Sequence, residues 1–362
     1  MTVLGRDHPE DVRTWMELQH GQWVTPTEIQ RAILNHWGIT DVVIGERMAT
    51  GEATEVYRVH KRPTEGQDDG LLGYLRIANH GGLNDAEIIL MEACRAAGLP
   101  SVELLHSSPY QLRNGQISSD LGATFLAPAV GLNLAEAIEQ GTYDIEVINT
   151  ALRNAGALLA HIHSLPDVNV GVAQAVERGL ARSQRDDFSR DLAFLRRTMQ
   201  YIPEATPLLQ HIKQAARDHK AGLADIQSKY PRALVHADFD PKHLFFDPLT
   251  GDITSLIDFG GAHVNVAHAD FFHWKTFSPM TYEVFLDAYL DERFGFDLID
   301  AQEFEAEIDL AYAACNLRSA CVRMDQLLVN EAVGHLHNCA SACDRIAPRV
   351  KVPTASEGAL SY

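Results

Sequence analysis

Between Leu234 and Phe271 the chain sets two aspartates, Asp238 and Asp258, at the ends of adjacent apolar runs, and this layout constrains the fold more than any other stretch. Ala233-Leu234-Val235 enters a loop that presents Asp238, and Leu244-Phe245-Phe246 leaves it. Pro248-Leu249-Thr250-Gly251-Asp252 is made of residues that pre-set or permit turn geometry, so it reverses the chain. Ile253 to Ile257 then reads as a returning strand that delivers Asp258-Phe259-Gly260. A short hairpin can therefore hold both carboxylates near one point.

Paired carboxylates at such a point suit phosphoryl transfer. The loose transition state of that reaction asks a protein mainly to align the acceptor hydroxyl and to supply metal ions that neutralise the phosphate oxygens. One carboxylate orients the hydroxyl and the other holds magnesium. An unperturbed Asp titrates near ~3.9, so a residue such as Asp238 acts chiefly by orientation, with late proton acceptance.

At these residues the chain resembles the aminoglycoside phosphotransferase family, small-molecule kinases with a protein-kinase-like fold. That family's signature is H-G-D-x-x-x-x-N followed by a strand and D-F-G or a variant; here the residues are His236-Ala237-Asp238, then His243, then Asp258-Phe259-Gly260. Asp270 stands where the family carries a second Asp after D-F-G, and Ala155 to Pro166 is similar to the helix before its catalytic loop. The resemblance implies an α+β fold with two lobes. A small N-terminal antiparallel-sheet lobe with a leading helix, residues 1–126, would bind ATP or GTP. A hinge at 127–131 would follow, then a larger, mainly helical C-terminal lobe at 132–349 for catalysis and acceptor binding, and a flexible tail at 350–362. It also implies Asp238 as the catalytic carboxylate and His243 and Asp258 as ligands of Mg2+.

A matching nucleotide lobe can be traced upstream. Val42-Val43-Ile44, a loop from Met48 to Thr54 containing Gly51, then Glu55 to Val59 and Leu71 to Ile77 read as strand, phosphate-covering loop, strand and strand. Gly51 has a second reading as an isolated turn glycine, since the loop lacks G-x-G-x-x-G. Arg76 falls where kinases of this fold place a Lys or Arg on the nucleotide phosphates, and Glu87 matches the helix glutamate that pairs with it. An Arg is always charged and can pair bidentately with a carboxylate. The other reading of this couple is an ion pair at a strand edge.

His243 departs from the family pattern, which has Asn there, because magnesium prefers oxygen ligands. The aminoglycoside 2''-phosphotransferases look like an exception that also carries His. A neutral imidazole could ligate the metal or hold Asp238 by a hydrogen bond. Thr54, Gly261 and Val266 are further departures, and they blur the acceptor side. A catalytically silent nucleotide-binding module is the competing reading.

The chain has 362 residues, 46% hydrophobic and 22% charged, enough for two small cores. No stretch approaches the ~18 uninterrupted apolar residues of a membrane span, and the first residues carry charges where a signal peptide needs an apolar run, so the expected location is the cytoplasm. The formal charge of −19 argues against nucleic acid or an anionic membrane surface as partner and favours a cationic ligand. Eleven Asp or Glu lie between residues 270 and 310, either an acidic wall for an amine-bearing acceptor or ordinary solvated helix faces. An aminoglycoside is the first acceptor expected; another sugar, a macrolide, a choline-like alcohol or homoserine are alternatives. The oligomeric state is not legible.

Five cysteines form no C-x-x-C pair and read as reduced packing residues. His335, Cys339 and Cys343 share one helix face and could offer metal ligands, although a helix contact is the plainer reading. Thr25-Pro26-Thr27-Glu28 opens a helix with Ile29, Ala32, Ile33 and Trp37 as its apolar stripe. Phe304, Ile308, Tyr312, Cys315 and Val322 follow helical spacing and are predicted core positions.

Overall fold

Proline fixes its own φ near the helical value and gives up only an N–H that a first turn leaves unpaired, so Pro26 opens helix α1 (Pro26–His36). Thr25, its expected cap, lies outside the residues that this computed structural model describes, which are 26–48, 54–63, 70–78, 85–113, 116–165, 188–218, 233–295 and 298–346. Strands β1 (Val42–Arg47), β2 (Thr54–Lys61) and β3 (Leu71–Ala78) follow, then helix α2 (Asp85–Ala96) and strands β4 (Leu104–Arg113) and β5 (Gln116–Leu126). They form one antiparallel sheet in the order β1-β2-β3-β5-β4.

Side chains alternate across a strand, and here the alternation separates packing from chemistry. Leu75, Ile77, Tyr57, Val59, Ala123 and Phe125 share a buried cluster with Ile33 and Leu34 of α1. Arg76, between Leu75 and Ile77, is sent to the opposite side, where it pairs across the ladder with Thr124, itself buried. β4 lies at the sheet edge, where one side of the backbone has no ladder partner and a proline such as Pro109 is tolerated.

Strand β6 (Leu132–Asn133), helix α3 (Leu134–Gln140) and helix α4 (Ile145–His163) come next. The chain between β5 and β6 is fastened to the hairpin predicted from the sequence, β8 (Leu244–Phe246) and β9 (Ile253–Leu256). Val130 N–H donates to Ser255 Oγ at 3.0 Å and its carbonyl accepts from Thr254 Oγ1. Gly131 has φ 103°, and a Cβ there would stand 2.5 Å from Thr254 Oγ1, so glycine is required on both counts. Asn133 caps α3 by accepting Glu136 N–H at 3.1 Å and also donates to the carbonyl of Lys242 at 2.6 Å.

Strand β7 (Ala233–Val235) pairs with β10 (His263–Asn265). Helix α7 (Phe272–Phe277) and helix α8 (Pro279–Phe294) then pack an aromatic core. Trp274 and Phe285 stack with centroids 3.9 Å apart and planes 1° from parallel, and Phe239 lies within 6.4 Å of Trp274. Gly156 of α4 lets the α8 backbone come close: a Cβ there would meet Tyr289 N at 2.9 Å.

The chain divides into two compact units, residues 1–185 with 232–297, and residues 186–231 with 298–362. The second contains α5 (Phe188–Thr198), α6 (Ala205–Asp218), α9 (Leu298–Asp325) and α10 (Val329–Arg345). Ion pairs of Arg318 with Asp191 at 3.4 Å and of Arg345 with Asp309 at 3.0 Å tie it internally, and His211 Nε2 lies 2.8 Å from Oδ1 of Asp344. Phe304, Ile308 and Tyr312 are buried as predicted. Cys315 is half-buried and Val322 is 40% exposed, although helical spacing sets both on the same face as the buried three. Among the described residues, no helix is long and apolar enough to cross a membrane.

Candidate active site

After β7 the chain cannot continue as a strand, because Ala237 takes φ 64° and turns Asp238 outward. Asp270, almost wholly buried, holds that turn. Its Oδ2 accepts His236 N–H at 2.9 Å, its Oδ1 accepts Ala237 N–H, and His163 Nε2 lies 2.9 Å from Oδ2. Tyr289 OH, 3.0 Å from His163 Nδ1, completes the chain of partners. Burial pushes the Asp270 carboxyl up, but His163 and His236 outweigh it and hold it below the usual carboxylate range. Asp270 is therefore part of the loop's support and not of an acidic wall; Glu307 is buried as well.

His236 is fully buried, and burial pushes its imidazole below the ordinary histidine value despite Asp270. Its neutral ring uses both nitrogens, with Nε2 3.1 Å from the carbonyl of Ile257 and Nδ1 accepting Asp238 N–H at 3.3 Å. Phe239 then enters the aromatic core and pins the loop immediately after Asp238.

Asp240 accepts Lys242 N–H at 2.9 Å and starts the short 3-10 turn Pro241–His243. His243 Nδ1 lies 2.8 Å from the carbonyl of Asp238, which can only accept, so this nitrogen carries an N–H. Nε2 lies 3.5 Å from Oδ2 of Asp258. Asp238, His243 and Asp258 offer ligand atoms that all lie within 4.8 Å of one another, a spacing one hard divalent cation can bridge.

Asp258 takes φ 61°, and the strain places its carboxylate toward β3. There Arg76 Nη2 stands 3.2 Å from Asp258 Oδ1, while Arg76 Nη1 pairs with Glu87 Oε1 of α2. Burial pushes the Asp258 carboxyl up, yet the Arg76 guanidinium beside it brings it net below the usual range. Five of the six residues singled out from the sequence, Arg76, Glu87, Asp238, His243 and Asp258, are thus linked in one chain of contacts. Gly51 lies outside the described residues.

A sequence model of the phosphotransferase enzyme family matches residues 74–304, more than half of the chain and all five of these residues. The chain belongs to the phosphotransferase enzyme family. Solved structures share its kinase-like fold, with the five-stranded antiparallel sheet toward the N-terminus and a mostly helical C-terminal part. A GDP complex of wild-type aminoglycoside 2'-phosphotransferase-IIIa has a TM-score of 0.57 at 13% identity, covering 87% of this chain and 98% of that one. A choline/ethanolamine kinase family protein from Mesorhizobium loti has 0.58 at 14%, covering 88% and 97%. A streptomycin-ATP ternary complex of APH(2")-IIa has 0.53 at 14%, covering 89% and 99%. None of the curated proteins is a significant match.

Set within this phosphotransferase family fold, several neighbours of Asp238 were not singled out from the sequence. His273 Nε2 is 3.0 Å from Asp238 Oδ1, Lys242 Nζ is 3.8 Å from the same oxygen, and His273 Nδ1 is 3.6 Å from Asp240 Oδ2. The only signal for His273 was a polar residue inside the apolar run Phe271-Phe272-His273-Trp274. Among the described residues, metal-ligand spacing occurs at Asp238–Asp240–His273 and at Asp238–His243–Asp258. His335, Cys339 and Cys343 do not form such a group; His335 Nδ1 is engaged with Asn316 Oδ1 at 3.1 Å.

Proposed function

We propose that this phosphotransferase family member is a kinase that moves the γ-phosphate of ATP or GTP to a hydroxyl of a small, cationic acceptor, with an aminoglycoside as the first candidate. The reading is carried by the convergence of Asp238, His243 and Asp258 within 4.8 Å, beside an arginine that joins Asp258 to Glu87. Asp238 orients the hydroxyl. His243 and Asp258 hold Mg2+, which neutralises phosphate oxygens when bound. Arg76, kept in place by Glu87, contacts the nucleotide phosphates, and the loop around Gly51 covers them. With the Nδ1 proton on the Asp238 carbonyl, a neutral His243 would present Nε2 beside Asp258 Oδ2, so the carboxylate oxygens would supply the ligands a hard cation prefers and the imidazole one nitrogen.

An amino alcohol is the second acceptor class. Its support is the fold match to the choline/ethanolamine kinase family protein, as extensive as the match to the aminoglycoside enzyme. The net charge of −19 favours a cationic acceptor in both cases. The test is nucleoside diphosphate release from ATP and GTP with magnesium across aminoglycosides, macrolides, amino alcohols and sugars. Acceptor-dependent release names the substrate class. Tight nucleotide binding with no release for any acceptor would instead support the silent module.

A further inference from the structure

The two oxygens of Asp238 are treated differently by their surroundings. Oδ2 lies 3.7 Å from His243 Nδ1, whose N–H is already committed to the Asp238 carbonyl, so this oxygen is left for a ligand. Oδ1 is shielded from solvent and lacks an aligned hydrogen-bond donor. His273 Nε2, at 3.0 Å, is the nearest donor nitrogen to it, and aligning this ring would supply the missing donor. A buried carboxylate oxygen without a donor is costly, so this alignment has a driving force.

The ring is well placed for that task. Trp274, the next residue, is fully buried and stacked on Phe285, which fixes the face that α7 turns toward the loop. Phe272 packs edge-on against the imidazole with centroids 4.9 Å apart. The groups facing His273 are Asp238, Asp240, Lys242 and His243. Lys242 Nζ lies 3.8 Å from Asp238 and 3.6 Å from Asp240, so an ammonium already balances these carboxylates, and the Asp238–Asp240–His273 group is not read as a metal site.

We propose that His273 is a positioning residue for phosphoryl transfer: its Nε2–H holds Oδ1 of Asp238 and fixes the carboxylate so that Oδ2 faces the acceptor hydroxyl. The inference rests on the kinase reading for its consequence, but the pairing itself is measurable without any acceptor. Orientation of a reacting group is worth large factors in rate, because a misplaced carboxylate loses the near-attack geometry.

The first arm is two-dimensional NMR of 15N-histidine-labelled protein at one alkaline pH, with the His273 signal identified by its loss in His273→Gln. The expected result is the Nε2–H tautomer in the wild type, converted to a mixture in Asp238→Ala and kept in Asp240→Asn. An Nδ1–H tautomer in the wild type, or a response to Asp240→Asn and not to Asp238→Ala, overturns the pairing. The second arm is kinetic. His273→Ala should lower kcat about 10- to 100-fold with acceptor KM within about threefold, and His273→Gln, which keeps an N–H, should recover most of the loss. Unchanged kcat, or a loss confined to KM, overturns the positioning role. If the wild type transfers phosphate to no acceptor, it is the kinase reading that fails, and the tautomer result still decides the pairing.

Discussion

Arg76 and Asp258 are 182 positions apart in the chain, yet Nη2 of the arginine stands 3.2 Å from Oδ1 of the aspartate. The same guanidinium pairs through Nη1 with Glu87, so one side chain joins β3, α2 and the end of the β8–β9 hairpin. Arginine suits this place because its planar fork presents two donors in fixed directions while the group stays charged; Glu87 and Asp258 raise its pKa further against the opposing effect of burial.

Arg76→Lys should therefore fail at the junction although it keeps the charge. A single ammonium cannot serve both carboxylates at the spacing of two Nη atoms. Nucleotide affinity is expected to fall at least about tenfold, and breaking the buried pair with Glu87 should cost roughly 1–3 kcal/mol of stability. Calorimetric titration with ATP or GTP and thermal unfolding check the two effects; wild-type affinity in the variant would remove Arg76 from the nucleotide site.

His243→Asn should keep measurable turnover, because the amide oxygen can replace the imidazole as a ligand for a hard cation. Asp258→Ala should not, since it removes the carboxylate proposed to hold the cation and leaves Arg76 half unpaired. Magnesium dependence of diphosphate release separates the two: a raised magnesium requirement for the asparagine variant is expected, and no release at any magnesium for the alanine variant.

Much of this arrangement was legible in the chain, and the reasons for the gaps are physical. Asp238, the turn from Pro248 to Asp252 and Asp258 are local signals, because a hairpin forms from neighbouring residues. Arg76 and Glu87 were found by their order along the chain, since nothing local announces an ion pair between a strand and a helix. The β4–β5 pair was missed even though Asn114-Gly115 is a strong hairpin dipeptide, because Pro109 and the serines interrupt the apolar alternation. Its edge position explains why that proline is tolerated. His273 was missed because its role depends on α7 packing back on the loop. The union of residues 186–231 with 298–362 is equally silent in sequence, since the two segments are not contiguous.

Asp270→Asn is isosteric but places an amide NH2 against the backbone N–H groups of His236 or Ala237, so one buried pairing becomes donor against donor. A loss of about 3 kcal/mol is expected, with lower turnover as the Asp238 loop loosens. Denaturant midpoints report the first effect. The sign of the acid dependence follows from the depressed carboxyl: the stabilisation is complete above the ordinary value near ~3.9 and is lost as pH falls through the lower folded-state value.

His335 gives a second pH effect of opposite origin. Burial, assisted by Arg323 and opposed by Glu331, holds its imidazole below the ordinary histidine value. The unfolded chain then takes up a proton near ~6.5 while the folded chain does not, so stability falls as pH drops below that value. The Tm is expected to be lower at about pH 5.5 than at about pH 7.5, with a smaller difference in His335→Gln. The same difference in both proteins would show that this histidine is not responsible.

The most direct measurement is nucleoside diphosphate release by the wild type and by Asp238→Ala, with magnesium, both nucleotides and the acceptor panel. Acceptor-dependent release in the wild type, reduced about 10³-fold in the variant with nucleotide affinity preserved, is the expected result. Equal release by both proteins would contradict the assignment of Asp238 and with it the proposed reaction.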